Sequence, residues 1–356
     1  MKKERSSNIE LYRIVTMLLI VAHHYVVNSG LTAAKGVVFA HPLSKRSLFL
    51  LFLGAWGKTG INCFVLITGY FMCKSNITAK KFAKLLFEVW FYRLVINSFF
   101  WVKGMEAFSW RGLLYTFLVV RNIGDGFTSA YLMFFLFIPF INILIEGLDE
   151  RKHLVLLGLL GFMYVVLGTF SIFSVTMNYV SWFMVVYLIA AYIRLYPKKV
   201  WENRALWGCL TLLFIGMASV SIVQCMKRGI ETGTFRPYDY VADSNTFYAV
   251  AVAVCSFMFF RTLNLGRNKV INTIAGSTFG VLLIHAHSDT MRKWLWKDVL
   301  DNVGHYGSRF MPLHAVGSVV GVFAVCTVID LVRIRVIEKP FFRLWDKIAA
   351  GENKAR

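Results

Sequence analysis

Arg13 and His24 stand eleven residues apart in one apolar segment of a 356-residue chain. At about 100° per residue, an α-helix returns to nearly the same face after eleven residues, about 16 Å further along its axis. A guanidinium presents a donor fork that matches phosphate, and an imidazole exchanges protons near neutral pH. One stripe carrying both can therefore hold phosphate at one end and place a general base or an acyl carrier at the other. Glu10, three residues before Arg13, can pair with it on the same face. His23 is turned away from the stripe by about 100°, so geometry favours His24 over His23. The plain alternative is a hydrogen-bonded, inert histidine pair near a helix end. An ionisable group at membrane depth costs about 2.5–3.5 kcal/mol, so this stripe should face a protein interior or a wet cavity.

Further candidates lie downstream. Glu88 and Arg93 sit within the apolar run Leu85–Arg93, just after Lys80, Lys81 and Lys84. Intramembrane charges mark functional sites or their supporting pairs, and here Arg13 or Glu10 are the expected partners. His285 and His287 share another run. Two residues apart on a helix they point about 200° apart, so they cannot both face one site. With no carboxylate beside them and no His-x-x-x-His, a metal site is not expected. Tyr131 and Trp182 could line an acceptor path or simply pack in the core. The six cysteines lack metal-ligand spacing and read as small apolar residues. Pro340 is expected to end the last helix.

The elements that must position these residues are transmembrane helices. The chain is 57% hydrophobic. Its apolar residues fall into ten runs, nine of about 17–25 residues, the length that crosses a bilayer, and one, the ninth in order, that is shorter and carries two histidines. They centre near 8–28, 48–72, 84–102, 127–146, 153–173, 178–195, 204–224, 245–261, 275–289 and 312–336. The segment 111–120 is too short to span and reads as interfacial or re-entrant. Helices satisfy their own backbone in lipid, so the class is all-α: a polytopic bundle of about ten transmembrane helices. The domain reading is one membrane domain over 1–345 with a tail over 346–356. An even number of spans places both termini on one side. About 23 of the 39 Lys and Arg fall there, against about 13 opposite, which predicts cytoplasmic termini. The net charge of +20 is then topology plus attraction to anionic lipid, and nucleic acid is not an expected partner. The first run holds Arg13 and His24 and lacks an Ala-x-Ala exit, so it is not read as a cleavable signal peptide.

These residues carry a resemblance. Arg13 to His24 has the Arg-x10-His spacing of the acyltransferase-3 family of bacterial membrane O-acyltransferases. Gly57-x-x-Gly60-x-x-Cys63-Phe64 with Thr68-Gly69-Tyr70-Phe71 is similar to its Gly-x-x-Gly … Ser-Gly-Tyr stretch, Thr68 standing for Ser. Tyr131-Leu132 through Pro139-Phe140-Ile141-Asn142 resembles a further span. So do Trp182-Phe183 with Tyr187–Tyr196, Ser277–Val281 with Leu283-Ile284-His285, and Glu338-Lys339-Pro340. Within the family the chain looks most like the branch that decorates Gram-positive surface polysaccharides. One departure is Lys81 and Lys84 where many relatives have an Arg-x-x-Arg pair. Another is that a fused Ser-Gly-Asn-His hydrolase-like domain is not expected.

The resemblance implies an enzyme of the bacterial cytoplasmic membrane. It would move an acyl group, usually acetyl, from cytoplasmic acyl-CoA to a hydroxyl of an envelope or extracellular polysaccharide, or of its lipid-linked precursor. Arg13, Lys81, Lys84 and Arg93 would lie near the acetyl-CoA phosphates, with Glu10 and Glu88 supporting them. His24 would be the base or acyl carrier, His285 the second site histidine, and Tyr131 and Trp182 the acceptor-side residues. The rival from another class is a secondary transporter or glycan flippase that uses the charged stripe as a relay. No inverted repeat is visible to support it.

Overall fold

In the computed structural model the described residues are 6–121, 123–124, 126–170, 175–241 and 243–355, and none of them forms a strand. The apolar runs become helices α1 (Ser7–Val27), α2 (Lys45–Met72), α3 (Ala79–Val102), α4 (Phe127–Glu146), α5 (Glu150–Thr169), α6 (Tyr179–Leu195), α7 (Arg204–Thr232), α8 (Phe247–Arg261), α9 (Lys269–His285 then Asp289–Gly307) and α10 (Met311–Ala349). Seven of these, α1 to α5, α7 and α10, are long and apolar enough to cross a membrane. The two halves of α9 make a broken element bent by 95°, and α6 and α8 are shorter apolar helices. The end of the fifth run, 171–173, lies outside the described residues, as does Arg356 of the tail.

Burial separates centre from periphery. In α2, 72% of the apolar stretch is buried, against 6% in α5, so α2 is central and α5 shows its apolar surface outward. α1 is the other central element and packs on α2, α8, α9 and α10. One core surrounds its second half with Met17, Tyr25, Leu50 and Trp296. Another surrounds its first half with Tyr12, Trp182, Phe183 and Phe257.

α9 does not run through to residue 289 as its apolar pattern suggests. Its first helix ends at His285, and the Ser288 hydroxyl accepts the Met291 N–H to start the second. Serine is a strong N-cap, so the chain re-nucleates there in a new direction. Pro340 does not end α10 either. A π-helical turn over Ile334–Glu338 precedes it and the helix continues. Such a turn shifts the hydrogen-bond register, which accommodates a residue with no N–H to donate. The segment between α3 and α4 forms a short helix, Trp110–Phe117, that runs back along α3. Asn97 Nδ2 donates to Thr116 Oγ1 at 2.8 Å, and Trp90 Nε1 to the Phe117 carbonyl at 3.0 Å.

α3 is fastened to α10 by a stripe at four-residue spacing. Lys80 meets Asp346 at 2.5 Å, Lys84 meets Glu338 at 3.5 Å, and Glu88 meets Arg333 at 3.1 Å. The Tyr92 hydroxyl donates to Asp330 at 2.8 Å. Arg333 also binds Asp330 and Glu338, each at 2.8 Å, so three carboxylates surround one buried guanidinium. The partner of Glu88 is therefore Arg333, not Arg13. Spacing within the sequence could not find it, because Arg333 approaches from the last helix.

Candidate active site

His24, near the end of α1, meets His285, at the end of the first half of α9, with 2.9 Å between His24 Nδ1 and His285 Nε2. His285 is fully buried, and its Nδ1 lies 2.6 Å from the Val281 carbonyl one turn back. A carbonyl only accepts, so His285 Nδ1 carries the proton and its Nε2 offers a lone pair. His24 Nδ1–H then donates to that lone pair, which leaves His24 Nε2 as a free base.

His24 lines a polar cavity of about 320 Å³ between α1, α2, α3, α4 and α9. Lys58, Arg93, His287 and Arg292 line it too, as do Ser129 and, from the start of α6, Tyr179. The break in α9 is what brings His287 to this wall. His285 does not line this cavity, so the two histidines face different places, as their spacing suggested. The bend also carries Arg292 to the cavity. His23 shares the wall, but its Nδ1 is committed to the Gly54 carbonyl at 2.6 Å. Gly57 makes room for that ring: a Cβ there would sit 2.2 Å from His23 Cγ.

A family model for the acyltransferase domain matches residues 6–331. The chain belongs to the acyltransferase-3 family. Comparison with curated proteins and with solved structures gave no match. The protein is thus a membrane acyltransferase, and the match covers α1 through most of α10.

The other expected site residues of this acyltransferase fall in separate places. Arg13 pairs with Glu10 through its Nε, 3.4 Å from the Glu10 carboxylate. It does not line the cavity of His24. Lys81 binds its own loop, at the Ser75 hydroxyl and the Asn76 carbonyl. Arg93 does not join Lys81 and Lys84. It lines the cavity of His24 and donates to the Leu118 carbonyl at 3.1 Å. Twelve residues separate Lys81 from Arg93, about 18 Å of helix, so one phosphate site cannot use both.

Thr68, at the motif position usually held by Ser, lies 2.9 Å from the Tyr131 hydroxyl and links α2 to α4. Trp182 is fully buried and donates its Nε1–H to Asn62 Oδ1 at 2.8 Å. Among the described residues no group of three or more His, Cys, Asp or Glu is placed to hold a metal.

Lys58, Arg292 and the Val281 carbonyl were not singled out from the sequence, and His287 was named there only beside His285. Lys58 had a usable signal, being a charge inside an apolar run. Arg292 had none, since it follows a helix break.

Proposed function

We propose that this acyltransferase moves an acetyl group from cytoplasmic acetyl-CoA to a hydroxyl of an envelope glycan or its lipid-linked precursor. The observation that carries the reading is the series His24, His285, Val281 carbonyl, with the free nitrogen of His24 on a polar cavity. His24 Nε2 takes the proton of the acceptor hydroxyl as its oxygen attacks the thioester carbonyl. The tetrahedral adduct collapses, the carbon–sulfur bond breaks, and the departing CoA thiolate recovers the proton from His24. His285 is a positioning residue. It fixes the His24 tautomer and accepts a hydrogen bond that strengthens when His24 becomes imidazolium.

Arg13 anchors the CoA phosphates, with Lys81 and Lys84 nearby at the cytoplasmic ends of the helices. The Nε side of the Arg13 guanidinium faces Glu10 at 3.4 Å, and the side chain is 30% exposed, which supports that role because a guanidinium has further N–H donors to give an anion. Glu10 holds Arg13 in orientation. The pantetheine arm then lies along the stripe toward His24.

The test is release of CoA from acetyl-CoA by the purified protein, with and without a glycan acceptor. His24→Ala should lower acceptor-dependent release by about 10²–10⁴-fold. An unchanged rate in that variant defeats the mechanism.

A further inference from the structure

The cavity that His24 lines holds three cations, Lys58, Arg93 and Arg292, and no carboxylate among its described lining residues. Among the described residues, two of these cations have only neutral hydrogen-bond partners. Lys58 binds the Tyr179 hydroxyl, and Arg93 the Leu118 carbonyl. Arg292 meets Asp289 at 2.7 Å, but that carboxylate is 96% exposed and so well screened by solvent. The Arg292 Nε is buried with no hydrogen-bond partner among the described residues.

Elsewhere the same chain neutralises a buried cation fully, with three carboxylates around Arg333. The contrast matters because uncompensated charge at membrane depth is costly. In a cleft with low-dielectric walls, like charges add to a focused field. The first turn of α4 points the same way. Phe127, Thr128 and Ser129 line the cavity, and the helix start at Gly126 has no side-chain cap. Helix N-termini favour anions. Lys58 and Arg292 line the same cavity as His24, so an anion they hold would share it with the reacting groups.

We infer that the acceptor of this enzyme is anionic: the hydroxyl that is acylated belongs to a glycan unit bearing a phosphate or a carboxylate, which Lys58, Arg93 and Arg292 bind. This rests on the acyltransfer reading above and narrows its acceptor class. The volume falls within the usual range of small-molecule sites, about 300–1,000 Å³. A neutral sugar leaves Lys58 and Arg93 with neutral partners and Arg292 with a solvent-screened one, whereas an anionic sugar pairs with them by charge-assisted hydrogen bonds.

The experiment uses the full-length protein in detergent micelles with acetyl-CoA and three acceptors. These are a methyl glucoside, the corresponding methyl glucuronide, and the methyl glucoside 6-phosphate. Binding is read by calorimetry and transfer by acceptor-dependent CoA release. The charged acceptors should bind about ten- to a hundredfold more tightly than the neutral one, and whichever leads tells phosphate from carboxylate. Lys58→Gln and Arg292→Gln should erase the preference through KM, and Lys58→Arg should keep it. Equal affinity for charged and neutral acceptors, or no binding of the charged ones at millimolar concentration, overturns the inference. So does an equal loss for all three acceptors in the variants. Absence of CoA release under every condition overturns the acyltransfer reading instead.

Discussion

His24 uses one ring nitrogen to hold its place and keeps the other for substrate. That division predicts distinct effects at neighbouring positions. His24→Ala removes the base, and the loss should fall on kcat. Arg13→Ala removes a phosphate anchor, and the loss should fall on the KM for acetyl-CoA by about tenfold or more, the value of one charge-assisted hydrogen bond. Steady-state kinetics at varied acetyl-CoA separates them; a shared kcat defect would contradict the division of roles. His285→Ala should leave KM near normal and lower kcat by roughly ten- to a hundredfold, as expected for one lost charge-assisted hydrogen bond. Added imidazole should restore part of that rate, which a merely misfolded variant would not allow. The cavity side of His23 gives a matching control. Its ring is wedged between the Gly54 carbonyl and Gly57, so it offers no free nitrogen at Nδ1.

Among elements, α3 has two faces with different work. The face at Lys80, Lys84, Glu88 and Tyr92 fastens α10, while Arg93 turns to the cavity. Breaking one member of a buried charge cluster leaves the others uncompensated, at about 3–5 kcal/mol. Glu88→Gln should therefore lower the melting temperature in detergent by several degrees; no shift would mean the cluster carries no stability. Gly280→Ala should act on the same cluster without touching a charge. A Cβ there would lie 2.3 Å from the Asp330 carboxyl, so α9 and α10 must part or Asp330 must move. The glycine of this motif is thus a contact point between helices. The break in α9 is the other decisive feature, since a straight helix could not bring both His287 and Arg292 to the wall that His24 lines.

For the molecule as a whole, the excess of Lys and Arg beside the termini predicts which side each loop occupies. A cysteine-free variant carrying Lys347→Cys should react with a membrane-impermeant maleimide only after the cells are permeabilised. One carrying Thr234→Cys, in the long connection after α7, should react in intact cells. The opposite pattern would invert the topology, and with it the side from which acetyl-CoA enters. The two-ended layout requires this orientation, with Arg13 near the donor side and the cationic cavity toward the acceptor side.

The apolar runs were sufficient to locate the helices, because a chain in lipid must bond its own backbone and long apolar runs have no other stable form. They were also sufficient to put Arg13 and His24 on one stripe, since that relation depends only on helical pitch. Pitch says nothing about residues on different helices. His24 and His285 are 261 positions apart, and their 2.9 Å contact exists because α1 packs on α9 at one particular depth. The same holds for Glu88 with Arg333, and for Lys58, Arg93 and Arg292 around one cavity. Side-chain pairing across helices is decided by packing register and by the cap at Ser288 that breaks α9, and both are properties of the folded chain alone.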